Sequence, residues 1–347
     1  MALSASALLR RAAAARPAAS LQTRLLSSRG RSGHDDQTID FGFKDVPWSE
    51  KQNLVKQVFR QVAPSYDVMN DLMSGGMHRL WKDRLVEKLR PAPGQVHLDI
   101  AGGTGDVAFR VADAIEEAAK REGERRAVWR RRADEDVVAV APPKGGEEGG
   151  AGAGGAPGAA EPAGGSAGFA SSSPYPAVPV ARVIVSDVNE SMLAEGRKRA
   201  EAERKNSRNV QLEWLLANAE ELPLPDASVD SITVSFGIRN VTDRPRALRE
   251  ARRVLVPGGR FLCLEFSKVV VPGFDAIYDL YSFNAIPAIG KLVAGDAESY
   301  RYLVESIRKF PDQETWAETI EDAGFRGVDY ENLTGGIVAI HSGFKLD

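Results

Sequence analysis

Apolar positions along the chain recur with two periods, and the switches between them mark out the elements. From Trp48 the step is helical: Leu54, Val55, Val58, Phe59 and Val62 recur at three- and four-residue intervals as far as Pro64. Tyr66–Met73 comes next, Ser74-Gly75-Gly76 forms a loop, and a helix from about Met77 to Leu89 is ended by Pro91. Val96–Ile100 then reads as a short buried strand. It runs directly into Ala101-Gly102-Gly103-Thr104-Gly105-Asp106, and a helix follows from Val107 to about Arg131, highly charged after Ala119. From Arg182 the alternation is regular. Strands are predicted at Val183–Asp187, Val210–Leu216, Ser231–Phe236 and Arg260–Phe266. Helices fall between them, from the N-cap Asn189 to about Glu203 and from Arg244 to Leu255, with a Pro257-Gly258-Gly259 turn before the last strand. Beyond Pro272 come apolar helices at Ala276–Phe283, Ile286–Val293 and Tyr302–Ile307, then Trp316–Ala323. Two terminal strands, about Gly327–Leu333 and Gly336–His341, suit an antiparallel edge. Such alternation predicts an α/β fold with a mostly parallel sheet and helices on both faces.

Two segments stand outside this pattern and change the domain count. A length of 347 residues suggests two domains at roughly 150 residues each. Yet Ala141–Pro179 holds 11 glycines and 7 prolines in 39 residues, well past the ~25–30% that marks aperiodic sequence. Residues 1–33 carry six arginines, no lysine and no acid, with nine alanines and six serines. That composition fits a mitochondrial targeting peptide, a plastid address being the rival. What remains suffices for one domain, about residues 45–347, interrupted by a low-complexity insertion at about 115–180.

Composition excludes several classes. The chain is 43% hydrophobic and 27% charged, and no stretch approaches the ~18–20 apolar residues of a membrane span. The single cysteine, Cys263, rules out an internal disulfide or a CxxC zinc site; its apolar surroundings predict an inert buried thiol. His34, His78, His97 and His341 lack ligand spacing, so no metal is expected. Without the six leading arginines the net charge is −9 (39 basic against 48 acidic), which argues against nucleic acid as a substrate.

The strand–Gly-rich loop–helix junction at 101–106 is a nucleotide-type site, where glycines admit a ligand to the backbone and a helix N-terminus adds free N–H groups. Gly103-Thr104-Gly105-Asp106-Val107-Ala108 fits the dinucleotide pattern. Asp99-x-Ala101-x-Gly103-x-Gly105 fits the acid-led loop of S-adenosylmethionine-binding enzymes, with alanine at the usual first glycine. Asp187, at the end of the second strand, is the acid that either cofactor needs for its ribose. The insertion explains why it lies 82 residues past Gly105 rather than about 20. Asn218-Ala219 after the third strand and the helix–Pro-Gly-Gly–strand unit favour the methyltransferase. The carboxylate of Asp99 also suits a cationic sulfonium and ammonium better than a pyrophosphate.

Two long runs make the assignment specific: Tyr66–Trp81 (YDVMNDLMSGGMHRLW), and Ser235–Thr242 (SFGIRNVT) continuing through Arg253–Gly259. With Tyr278–Phe283 and Ser299–Ser306, they make the chain resemble the ubiquinone/menaquinone biosynthesis C-methyltransferase family over about residues 48–112 and 182–346. The resemblance implies the class I S-adenosylmethionine-dependent methyltransferase fold, Rossmann-like with a mostly parallel seven-stranded sheet. It implies cofactor contacts at Thr104, Asp187, Asn218, Ala219 and Ser235, beside the loop residues Asp99, Gly103 and Gly105. Its substrate would be a benzoquinol lipid with a polyprenyl tail, its setting the matrix side of the mitochondrial inner membrane. Peripheral membrane contact, other subunits of a ubiquinone-biosynthesis complex and a homodimer complete the expected partners. A plastid naphthoquinol methylase, a non-catalytic assembly subunit and a nicotinamide oxidoreductase are the rival readings.

Carbon methylation needs a ring hydroxyl to ionise, since a neutral arene carbon is a poor nucleophile. Arg239 and Asn240, just past the fourth strand, sit where such sheets hold ligands. Arg239 is expected to face the phenolate, or else to pair with Asp243; Asn240 to orient a water or the hydroxyl, or else to shape a turn. His78 is a candidate base or a packing histidine. Tyr66 and Asp67 are read as closing over the methionine end of the cofactor, or as plain helix residues. Phe274–Val293 is read as a prenyl tunnel or as ordinary core helices.

Overall fold

The strands at 96–100 and 229–235 are neighbours at the centre of a seven-stranded sheet. A computed structural model of the chain describes residues 37–62, 66–139, 179–273, 280–281 and 297–347. The predicted targeting peptide, the Gly/Pro/Ala tract and all of 274–293 except Leu280 and Tyr281 lie outside the described residues. So the two apolar helices expected there are not part of the description.

The described elements are β1 (Thr38–Phe41), β2 (Lys44–Pro47), α1 (Trp48–Val62), α2 (Tyr66–Ser74), α3 (Met77–Leu89) and β3 (Val96–Ile100). There follow α4 (Asp106–Ala139), β4 (Ala181–Asp187), α5 (Glu190–Ala202), β5 (Val210–Leu216) and β6 (Val229–Ser235). A short 3-10 turn (Ile238–Asn240), α6 (Arg244–Val254) and β7 (Leu255–Phe266) lead to α7 (Ala297–Lys309), α8 (Gln313–Asp322), β8 (Arg326–Leu333) and β9 (Val338–Phe344). Strand order is β5-β4-β3-β6-β7-β9-β8. The first five strands run parallel, and β9 is antiparallel to both β7 and β8. This is the class I methyltransferase sheet expected from the sequence. Its strands are apolar on both faces because helices cover both. Leu85, Val107, Val111, Ile115 and Leu193 from α3, α4 and α5 pack on one face. Leu248, Ala251, Trp316 and Ile320 from α6 and α8 pack on the other. Strand order reverses between β3 and β6, which opens a crevice at their carboxyl ends.

Four details depart from the sequence reading. Helix α4 runs to Ala139, past the expected Arg131, and the i,i+4 pairs Glu117–Arg121 and Glu122–Arg126 support its charged middle turns. Ile115 and Ala119 in that helix are core residues, so the interruption of the domain starts well after 115. The Pro257-Gly258-Gly259 turn is absorbed into β7 as an irregularity, with Gly258 at φ +81°. The C-terminal residues supply its pairing: Gly258 N donates to the Lys345 carbonyl and Lys345 N to that of Gly259. The β1–β2 hairpin was not anticipated, although Ile39 and Phe41 alternate before Gly42. It is held by Phe41 stacked on Tyr302 at 4.2 Å and by Phe43 N donating to the Glu305 carboxylate.

Packing of α5 on β5 depends on a missing side chain. A Cβ at Gly196 would collide with the Trp214 ring and lie 2.9 Å from the Thr104 carbonyl oxygen. Gly196→Ala is therefore expected to destabilise the fold by about 1–3 kcal/mol. Thermal unfolding should show a melting temperature lower by several degrees; an unchanged value would show that α5 does not press on Trp214.

Candidate active site

The crevice where the strand order reverses is a cleft lined by both polar and apolar side chains. Loops after β3, β4, β5 and β6 form its floor, and the α1 residues Gln52, Val55, Lys56 and Phe59 form one wall. Seven of the eight cofactor positions read from the sequence line it: Asp99, Gly103, Thr104, Asp187, Asn218, Ala219 and Ser235.

Gly105 does not line it. A Cβ there would lie 2.9 Å from the Trp214 ring, so this glycine, at φ +82°, serves the turn and the packing behind the loop. The glycine that opens the floor is Gly102, which the sequence reading had passed over. A Cβ at Gly102 would stand 2.7 Å from Asp99 Oδ2 and close that carboxylate off. Ala101, in the place of the usual first glycine, is held at φ +53°, a left-handed conformation that costs an L-residue about 1–2 kcal/mol. Its methyl fits only because position 237 is glycine, where a Cβ would approach it to 2.5 Å.

Asp99 is buried at the end of β3. Its Oδ1 accepts from Thr233 Oγ1 at 2.7 Å, and its Oδ2 has no protein partner. Thr233 in turn accepts from His97 Nε2 at 3.0 Å, and His97 Nδ1 meets Ser231 Oγ at 2.9 Å. Because Thr233 spends its proton on Asp99, His97 must donate through Nε2 and accept at Nδ1. Burial pushes the His97 pKa down to about 3, so the ring is neutral. Burial likewise pushes the Asp99 carboxyl up to about 7, since few groups offset the loss of water. Asp187 is raised to about 6 for the same reason, although the backbone N–H groups of Asn189 and Gly103 donate to it at 2.8 and 2.9 Å. Ser235 Oγ is a second buried group with no protein partner. An open carboxylate oxygen, an open hydroxyl, a ribose-type acid and a glycine floor fit the amino-acid and nucleoside ends of S-adenosylmethionine.

Of the three expected catalytic residues, only Asn240 reaches the cleft. Its Oδ1 accepts from the hydroxyl of Tyr302, at 3.0 Å from α7. Arg239 is turned away, buried at 4% exposure and paired with Glu265 at 2.9 Å, which is itself 1% exposed. Its alternative partner was misplaced: Asp243 caps α6 by accepting from Arg246 N. The Arg239–Glu265 pair, with the Arg239 guanidinium donating to the Phe236 carbonyl, instead fastens the turn that carries Asn240. His78 is buried off the cleft, with Nε2 on Asp71 at 2.7 Å and its pKa lowered by desolvation. The side chains of Tyr66 and Asp67 lie outside the described residues. Cys263 is buried and desolvation pushes its thiol up, as befits an inert residue. No group of residues able to hold a metal occurs among the described residues.

The sequence reading missed three contributors. Lys82 lines the cleft and stands one residue beyond the run that ends at Trp81. Tyr302 acts through Asn240 from a helix distant in sequence, and no local pattern announces it. Ser231 and Thr233, which face His97 and Asp99 across the β3–β6 register and continue to the expected Ser235, were visible as alternate polar positions inside the strand.

Residues 47–345 match the family described as the ubiE/COQ5 methyltransferase family. A rice (Oryza sativa subsp. japonica) protein named 2-methoxy-6-polyprenyl-1,4-benzoquinol methylase, mitochondrial, is 47% identical over 97% of this chain and 99% of its own length. Proteins of the same name from Arabidopsis thaliana (47% identity, 94% of this chain, 97% of that protein) and Homo sapiens (46%, 94% and 89%) are similar to it throughout.

The raised carboxyls carry a sign. In the free protein Asp99 is protonated below about pH 7 and Asp187 below about pH 6. A cationic ligand selects the ionised form, so affinity for S-adenosylmethionine should fall as pH drops from 7.5 to 5.5, and binding at pH 6 should release about one proton. Calorimetry in buffers of different ionisation enthalpy measures both. Constant affinity with no proton release would show that Asp99 does not face the cationic group.

Proposed function

Since the chain belongs to the ubiE/COQ5 methyltransferase family, we propose that it methylates a ring carbon of a 2-methoxy-6-polyprenyl-1,4-benzoquinol in ubiquinone biosynthesis. The methyl donor is S-adenosylmethionine, which supplies an electrophilic methyl group when bound. The observation that carries the reading is the pairing, in one cleft, of a cofactor-type floor with a hydrogen-bonding amide aimed from the β6 side. Asp99 and Ser235 present unpartnered polar atoms to the amino-acid end, Asp187 takes the ribose, and Asn218 and Ala219 flank the base. A non-catalytic subunit has no use for a buried carboxylate oxygen left without a partner, which is costly to keep.

Tyr302 and Asn240 supply the acceptor side. Burial pushes the Tyr302 hydroxyl up to about 12, so it stays protonated and donates to Asn240 Oδ1. That leaves the amide NH2 of Asn240 for the cleft, where it donates to the ring oxygen as charge develops on it. A donor placed before the reaction stabilises the phenolate form and hence the electron-rich ring carbon. Arg239 contributes through the turn: neutralised by Glu265, it holds Asn240 in place rather than meeting the phenolate.

The lipid tail has a matching surface. Val68 and Leu72, one turn apart on α2, and Leu80 on α3 are exposed, and Tyr281 donates its hydroxyl to the Met73 carbonyl at the end of α2. No described helix is long and apolar enough to cross a membrane. We place the protein peripherally on the matrix side of the mitochondrial inner membrane, with other subunits of a ubiquinone-biosynthesis complex, a reading supported by the mitochondrial names of its relatives.

Expression in a host lacking its own quinol C-methyltransferase should restore ubiquinone, and lipid extracts should contain the C-methylated intermediate; absence of that product from a stably folded, expressed chain would refute the substrate assignment. Asn240→Ala is expected to lower kcat by roughly 10²–10³ while the affinity for S-adenosylmethionine stays within about threefold. Arg239→Met alone should lose about 3–5 kcal/mol of stability by stranding Glu265, and Arg239→Met/Glu265→Leu should regain most of it. Turnover in that double variant near the level of wild type would exclude Arg239 from the chemistry altogether.

A further inference from the structure

The donor carries two opposite charges on its amino-acid end, an ammonium and a carboxylate. Among the floor residues read from the sequence the only charged side chains are the acids Asp99 and Asp187. Two lysines line the cleft, Lys56 and Lys82. The Lys56 carbonyl accepts from the Asn189 side chain at 3.3 Å, which puts its backbone beside Asp187 and the ribose end. Lys82 lies at the other end. It projects from α3 with 6% exposure, and its charge acts on Asp99 as one of the influences that lower that carboxyl. One of its three N–H donors is held by Asp106 Oδ2 at 2.7 Å. Asp106 opens α4, so Lys82 is fixed at the N-terminus of that helix, where the free backbone N–H groups add further positive potential.

We propose that Lys82 is the anchor for the α-carboxylate of S-adenosylmethionine, completing with Asp99 a two-charge clamp for the zwitterionic end. The inference rests on the methyl-donor reading above. Asp106 holds the ammonium of a lysine that lines the cleft and leaves two of its donors for a ligand, and the buried Asp99 Oδ2, without a protein partner, is left for the cofactor's own ammonium. A ligand with both charges satisfies both side chains; a ligand with only the amine leaves Lys82 with Asp106 alone. The clamp therefore acts as a selectivity filter, favouring a complete amino acid over a decarboxylated sulfonium of the same shape.

Calorimetric titration with S-adenosylmethionine and with its decarboxylated form tests this, on the wild type and on Lys82→Met and Lys82→Gln. The second variant keeps a donor for Asp106 without the charge, so that one folded variant is in hand even if the first unfolds. Wild type should prefer the carboxylated ligand by roughly tenfold or more, the effect of a charge-assisted hydrogen bond. In the variants that preference should shrink to about twofold, with affinity for the decarboxylated ligand nearly unchanged. Equal loss of affinity for both ligands, or an undiminished preference, would overturn the assignment and make Lys82 a structural partner of Asp106. A folded wild type that binds neither ligand would overturn the methyl-donor reading itself, and the clamp with it.

Discussion

The hydrogen bond from Thr233 to Asp99 is the constraint on which the site turns. It joins the two central strands at the point where strand order reverses, and it commits one oxygen of a buried carboxylate while leaving the other to the cleft. His97 and Ser231 extend it into a ladder of donors whose directions are fully determined, because each proton has one place to go. Gly102 leaves the space beside that unpartnered oxygen unfilled by a side chain, and Gly237 gives Ala101 room to complete the turn. A carboxylate raised to about 7 is unfavourable for the ligand-free fold, and that tension is what a cationic ligand relieves.

Much of this architecture could be read before any coordinates. Parallel strands with both faces covered leave continuous apolar runs, and β4 and β7 have them in Val183–Val185 and Phe261–Leu264. The acid-led loop and the acid at the end of β4 came from residue type and spacing alone, even with the Gly/Pro/Ala tract between them. Local reading failed where the deciding partner was remote. Arg239 looked like a residue facing the ligand because it stands just past β6, at the carboxyl end of the sheet. Its partner, Glu265, is 26 residues away on the next strand. Asn240 lines the cleft, and the side chain that holds it there is Tyr302, 62 residues further on.

The same contrast separates the two faces of the cleft. The cofactor floor is made of strand ends and the loops that follow them, each legible as a short motif. The acceptor side is made of a turn fastened from behind by a buried ion pair and a tyrosine. Such a pair is poor evidence for stability and good evidence for a held geometry, since either member alone would be a stranded charge. The hairpin β1–β2 belongs to this second layer: Phe41 stacks on Tyr302, and Asp40 lies 3.6 Å from Lys51 and 3.7 Å from Arg244. Asn240 is thus held by partners remote from it in sequence.

Asp99→Asn is the most direct measurement of the central claim, because it keeps the shape and the Thr233 donor while removing the charge. Affinity for S-adenosylmethionine, measured by calorimetry, should fall by roughly 10- to 100-fold. The melting temperature of the ligand-free protein should stay level or rise, since a buried charge has been removed. Wild-type affinity in this variant, or a large loss of stability with affinity intact, would contradict the account.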